Sequence, residues 1–526
     1  MLHSALGLNG CVTAPHRIAA LTGRDVLAAG GSAIEAMVAA AATIAVVYPH
    51  MNGLGGDAFW LIERPGERPV GISGAGRAAA LATPDWYSSR GHEAVPARGP
   101  DATLLVPGAV SSWQAALELV ADRRLSLRDL LGPAIDYATH GSAVTQSQAI
   151  MTAAKRNQLE QVEGFAEVFL PGGSVPAAGS RFLQPALGAL MQHLADEGLD
   201  GFYRGDVAAT HGRFLDAAGS PLRQADFEDY RAELVTPLQL ETSVGTVFNL
   251  PPPTQGIAAL LILGAFDRLG VSEPETFAHI HGLVEATKQA YRLRNRHLGD
   301  PRTMTESPDA WLTPSHLDKL ASAVDPMRAL PWPEPAAPGD TIWMGAADKS
   351  GTVVSFIQSI FWEFGSGLTC PQTGILFENR GAGFSLKPGP NQLAPGKQPF
   401  HTLNPALARL KDGRVMAYGT MGGEGQPQTQ SAVFTRYAMF GEGLQQAVTA
   451  PRWLLGKTWG DVNTKLKLEG RFAPDLFAAL RRVGHDLEVL GDFDDVMGHA
   501  GAVVLHPSGT FEGASDPRAD GAAIAY

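Results

Sequence analysis

Thr341 to Leu368, TIWMGAADKSGTVVSFIQSIFWEFGSGL, is the stretch on which the reading of the fold turns. Its halves TIWMGAAD and TVVSFIQSI are β-rich runs on either side of Lys349, Ser350 and Gly351. If those three form the loop, with Gly351 supplying a positive φ, Asp348 faces Thr352. Pairing outward one for one then sets Thr341 opposite Ser359. The hairpin thus predicts two hydroxyls side by side at its open end. Composition alone reads Thr341 as an ordinary strand-opening residue.

Directly upstream, Leu330 to Asp340 reads LPWPEPAAPGD, with four prolines and neither helical nor strand periodicity, so it reads as an extended linker. Before it the pattern is mostly helical from about Ala109 to Leu269. Ser111–Ala121, Arg128–Ala138 and Leu183–Glu197 look like an outer helical layer, and PPPTQG introduces a helix over Ile257–Leu269. Another helix is expected over Thr276–Arg296. Its His279 and His281 are two apart and cannot chelate one metal as an i, i+4 pair would, so they read as surface or core histidines.

Nearer the start, Ser32 and Glu35 form a capping box for a helix ending near Val47, with Pro49 just beyond. Gly53, Gly55 and Gly56 follow, then a strand over Phe59–Ile62. Those glycines come after a helix rather than a strand, and Ala58 occupies the third glycine position, so this is a packing turn and not a dinucleotide site. Downstream of the hairpin, strands are expected over Gly374–Phe377, Val415–Gly419, Leu466–Glu469 and Ala502–His506, with helix over Pro427–Ala447. Helices first and mixed strands and helices later suggest a layered sandwich.

The 526 residues hold 60 Gly and 37 Pro, well under the roughly 25–30% at which low complexity sets in, so the chain is globular. Its net charge of -12 argues against a nucleic acid or an anionic membrane as partner. Two cysteines make no disulfide framework, and MLHSALGLNGCVTAPH lacks a secretory pattern. A cytoplasmic protein is expected. The acidic loop GDFDDVMGH, with Asp492, Asp494 and Asp495, lacks EF-hand spacing and reads as a solvated loop. No metal or organic cofactor is indicated.

The hairpin sequence resembles the start of the small subunit in the gamma-glutamyltransferase family of N-terminal-nucleophile hydrolases. PHMNGLGGDAFWLI, GAGRAAA, VPGAVSSW, PAIDYATHG, PPPTQG, EATKQAYRLRNRHLGDP, GTMGGEGQPQTQ and GASDPRADGAA follow in the family's order. The resemblance implies an α+β fold, a four-layer αββα sandwich. It implies a cut between Asp340 and Thr341, leaving a large segment, residues 1–340, and a small one, residues 341–526, as two parts of one folded unit. A heterodimer of these pieces follows, with a dimer of heterodimers as an open alternative. An α-amine has a pKa of about 7.7–8.0 against about 10.4 for lysine, so a freed Thr341 carries nucleophile and base together.

Position by position, the resemblance gives Thr341 as nucleophile and Ser359 as the residue bonded to it. It gives Gly422 and Gly423 as the oxyanion hole, and Arg77 as the arginine gripping a substrate carboxylate. The pattern breaks where transpeptidases bind an α-amino group with acids: ENRGAGF puts Arg380 and Gly383 there. His401 and Thr402 replace the family's paired serines, and the loop from Ser385 to Gln398 is shorter than the family's lid. A cation facing an ammonium is unfavourable in a partly desolvated pocket. These changes imply a small carboxylate amide without an α-amino group, as in the branch that hydrolyses oxamate. Gamma-glutamyl transfer or hydrolysis, acylase chemistry and a non-catalytic carboxylate-binding protein are the alternatives.

Overall fold

The structure is a computed structural model. It describes residues 3–332, 341–456 and 464–526, so Asp340 and the linker from 333 onward lie outside the described residues.

Two seven-stranded antiparallel sheets stack face to face. In one, the strands run Ala522–Ala525, Gly10–Ala14, Ile342–Asp348, Val353–Ser359, Asp57–Glu63, Val70–Gly74 and Glu233–Val235 in spatial order. In the other they run Ala5–Gly7, Phe511–Ser515, Ala500–Leu505, Val415–Thr420, Ala406–Leu410, Gly245–Asn249 and Leu238–Glu241. Phe59, Leu61, Trp343, Ile357, Leu407, Ala417 and Val503 fill the space between the sheets. Helices Ala33–Val47 and Ala109–Glu118 cover the outer face of the first sheet, and Gly256–Arg268 and Gln426–Phe434 that of the second, with Leu127–His140 packed on Ala33–Val47 and Phe277–His297 on Gly256–Arg268. The architecture is therefore the expected αββα sandwich.

The hairpin has the expected register: Ile342 pairs with Gln358 and Ala347 with Val353. Gly351 takes φ +88° in the loop, and Asp348 Oδ1 accepts the Ser350 N–H at 2.8 Å. Asp348 Oδ2 accepts the Ala33 N–H at 2.7 Å, docking the turn on the capped end of the helix. Both strands are buried at every position, because one face meets the second sheet and the other meets helix Ala33–Val47. That burial explains their near-continuous apolar sequence.

The hairpin is wedged between strands contributed by the large segment. Gly345 pairs with Thr13 on one side, and Ser359 with Asp57 on the other. Strand Ala522–Ala525 pairs with Gly10–Ala14, and Ala406–Leu410 with Gly245–Asn249. Residues before and after position 340 thus share both sheets and one core.

Ala109–Leu269 is mostly helical, as expected, but three strands of the two large sheets break it, Glu233–Val235, Leu238–Glu241 and Gly245–Asn249, besides the two-residue pair Ser142–Ala143 and Arg181–Phe182. Glu233–Val235 and Leu238–Glu241 are edge strands three and four residues long, and the latter alternates buried and exposed residues, a signal too brief to stand out beside long helices. His279 and His281 are both buried. Cys11 and Cys370 are buried free thiols. Among the described residues, no helix is long and apolar enough to cross a membrane.

Candidate active site

Extending the hairpin by one pair sets Thr341 across from Ser359, whose other cross-strand partner is Asp57. Directly opposed residues share a face of the sheet, so Thr341, Ser359 and Asp57 form one row. Thr341 is 1% exposed. After Ser359 the chain turns sharply. Phe361 and Phe364 take φ +77° and +57°, values costly for residues with a Cβ and found where surrounding structure over-determines them. The Phe361 N–H donates to Ser359 Oγ at 2.8 Å, the Trp362 N–H to Asn379 Oδ1 at 3.1 Å, and the Phe364 N–H to the His50 carbonyl at 2.9 Å.

A second arm comes from the other sheet. Strand Val415–Thr420 ends just before Gly422, φ +120°, and Gly423, φ +52°. A turn entering a helix here, Gln426–Phe434, leaves first-turn N–H groups without intrahelical acceptors. Gln255 Nε2 donates to the carbonyls of Thr402 and Gly423, both at 2.8 Å. Gln255 Oε1 accepts from Arg294 Nη1 at 2.7 Å, and Arg294 Nη2 pairs with Glu424. The glycine turn is thereby held from behind.

Between the arms lies a buried polar cluster. Asp57 Oδ1 accepts the Gly76 N–H at 2.8 Å, and Asp57 Oδ2 lies 2.9 Å from His401 Nε2. The Leu403 N–H points to His401 Nδ1 at 3.3 Å, which leaves Nε2 as the protonated nitrogen. Burial lowers the His401 pKa against the raising influence of Asp57, so a neutral imidazole donates to the carboxylate. Arg380 Nη1 donates to Thr402 Oγ1 at 3.2 Å, and its guanidinium stacks 3.7 Å from the Phe361 ring centroid. Burial pushes Arg380 down to about 10, with Glu378 and Asp57 opposing, so it stays cationic at neutral pH. Glu378 is held well above the ordinary carboxyl range, first by burial and then by neighbouring Asp57.

The structure thus brings Ser359, Arg380, His401, Thr402 and Gly423 into one bonded neighbourhood at the end of the Thr341 hairpin. Arg77 is differently engaged: Nη2 is paired with Glu233 and Nη1 donates to the Gly396 carbonyl at 3.3 Å. Sequence reasoning gave no role to Asp57, Gln255, Glu378, Arg294 or Glu424. Asp57, Gln255 and Glu378 sit inside the stretches DAFWLI, PPPTQG and ENRG. Buried carboxyls and amides within such stretches were the available signal.

Away from the site, His281, Glu285 and His485 cluster closely enough to suggest a metal group among the described residues. His281 Nδ1 is 2.9 Å from His485 Nε2, and Lys288 Nζ already pairs with Glu285 Oε1 at 2.7 Å. Direct hydrogen bonds and a resident cation account for that geometry.

The gamma-glutamyltranspeptidase model matches residues 19–526. The chain belongs to the gamma-glutamyltranspeptidase family. It is 52% identical to the oxamate amidohydrolase proenzyme of Klebsiella pneumoniae, over 100% of both chains. It is 39% identical to the glutathione hydrolase-like YwrD proenzyme of Bacillus subtilis, again over 100% of both. Among solved structures, the cephalosporin acylase of Bacillus halodurans superposes with a TM-score of 0.92 at 32% identity, covering 100% of this chain and 97% of that one. The family to which this chain belongs is one of amide-bond-cleaving enzymes.

Proposed function

We propose that the chain is a proenzyme cut between Asp340 and Thr341, and that the product hydrolyses oxamate to oxalate and ammonia in the cytoplasm. The observation that carries this reading is the cross-strand row of Thr341, Ser359 and Asp57 beside the buried cation Arg380. Full-length 52% identity to an oxamate amidohydrolase proenzyme supports it.

While the Thr341 nitrogen is an amide it has no basic lone pair, so the uncut chain is inactive. Once freed, the amine takes the Thr341 hydroxyl proton as Oγ attacks the carboxamide carbon. The oxyanion forms against the N–H groups of Gly422 and Gly423. The C–N bond breaks, the amine's proton leaves with ammonia, and an oxalyl ester remains on Oγ. Water, deprotonated by the same amine, attacks that ester and returns Thr341 with oxalate. Ser359 orients Oγ. Because the two segments share both sheets, they stay together as a heterodimer after the cut.

Gamma-glutamyl substrates are the second reading, supported by the name of the relative at 39% identity. Their α-ammonium would enter a region where Arg380 is buried and charged, which opposes it. Comparing oxamate with a gamma-glutamyl anilide tests the choice. Oxamate is expected to be turned over at least about 100-fold more efficiently, the factor that about 2.7 kcal/mol of charge discrimination supplies. Efficient anilide turnover contradicts the reading.

A further inference from the structure

We propose that Arg380, rather than Arg77, is the carboxylate receptor of this site, and that it reads the substrate through the Nε–Nη2 edge of its guanidinium. The inference rests on the amidohydrolase reading and names the group that makes it specific for acids bearing the carboxylate next to the amide.

Three features of Arg380 point the same way. It is 1% exposed, yet only Nη1 is bonded within the protein, to Thr402 Oγ1 at 3.2 Å. Nε and Nη2 are buried without an acceptor, and Arg380 forms no ion pair among the described residues. An unmade hydrogen bond at a buried donor costs about 1–3 kcal/mol, and more for a charged group. Two such donors on one edge make the parallel fork that a carboxylate accepts bidentately. Second, Phe361 stacks on the guanidinium at 3.7 Å, and Phe400 lies 5.9 Å from it. These aromatic walls fix its plane and thin the surrounding water. Third, a Cβ on Gly383 would lie 2.6 Å from Nη2 and 3.4 Å from Nε. Gly383, which stands where the family has an acid, therefore keeps this same edge clear.

Arg380 is also tied to both arms of the site. Phe361, beneath it, donates its N–H to Ser359 Oγ. Thr402, which receives Nη1, is joined through Gln255 to the Gly423 carbonyl. A carboxylate on the free edge would lie between nucleophile and oxyanion donors, as an acid with its amide on the adjacent carbon requires. Arg77 offers none of this, since its fork is taken by Glu233 and the Gly396 carbonyl and its side chain is 26% exposed.

The test uses cleaved wild type, Arg380→Gln, Gly383→Ala and Arg77→Gln, with autocleavage and circular dichroism as folding controls. Oxamate and the neutral diamide oxamide are compared as substrates, and oxalate binding is measured by calorimetry. Arg380→Gln is expected to lower the oxamate-to-oxamide ratio of kcat/KM by about 10- to 100-fold and to weaken oxalate by a similar factor. Gly383→Ala, which keeps the charge but crowds the edge, should weaken oxalate at least about threefold, and Arg77→Gln should lose far less than Arg380→Gln. If Arg380→Gln does not fold, Gly383→Ala decides. Oxalate binding that survives both changes, or that is lost chiefly in Arg77→Gln, overturns the proposal, as does wild type that binds no oxalate. Wild type that binds oxalate through Arg380 but leaves oxamate intact would sink the oxamate reading and keep the receptor.

Discussion

Gln255 and Gly423 are joined by one hydrogen bond of 2.8 Å, from the side-chain amide of the first to the carbonyl of the second, and the same amide also holds Thr402. A turn of two glycines in positive φ has little stiffness of its own. Gln255, braced by Arg294, supplies that stiffness. Gln255→Ala should therefore lower kcat by about 10-fold or more while moving KM for oxamate by less than about threefold, in the direction of a lost preorganised donor. Steady-state kinetics on cleaved protein check this, and an effect confined to KM contradicts it.

Gly422 takes φ +120°, where a Cβ is strained. Gly422→Ala should shift or block an oxyanion donor, with a loss of about 10²–10³ in kcat. Retained binding of oxalate in calorimetry would separate that loss from unfolding.

Buried histidines make the folded state sensitive to acid. Burial lowers His16 to about 4 and His50, His211, His279 and His485 to about 3. An unfolded histidine binds a proton near pH 6.5. Between that pH and the lowered values the unfolded state holds more protons, so stability rises with pH and falls as the solution is acidified below about 6.5. Thermal unfolding should show a lower Tm at pH 5 than at pH 7.5. A Tm that is flat or rises on acidification contradicts the expectation.

The helix Ala33–Val47 tests the fold itself. Ser32 Oγ caps it by accepting the Glu35 N–H at 3.3 Å, the Ser32 N–H donates in return to Glu35 Oε2 at 2.8 Å, and all the helix residues are buried. Ser32→Ala should cost about 1 kcal/mol by denaturant titration with activity at neutral pH retained. A loss of activity without loss of stability would contradict this structural role.

Much of this molecule was legible from local chemistry. The loop Lys349–Gly351 dictates the register that opposes Thr341 to Ser359, and Ser32 with Glu35 marks the helix that carries the hairpin's turn. Short edge strands such as Leu238–Glu241 were not legible, because four alternating residues gain their identity from the neighbouring strand at Gly245–Asn249. The site was partly legible for the same reason. Arg380, His401 and Thr402 stood out as departures from a family pattern. The Asp57–His401 bond joins residues 344 apart in sequence, and no local period encodes it.

The most direct measurement is the intact mass of purified protein under denaturing conditions, taken with oxamate turnover, for wild type and Thr341→Ala. Wild type should give two fragments that sum to the 55.5 kDa chain, the smaller beginning at Thr341, and should release ammonia from oxamate. Thr341→Ala should stay whole and inactive. An uncut wild-type chain that turns over oxamate would contradict the account.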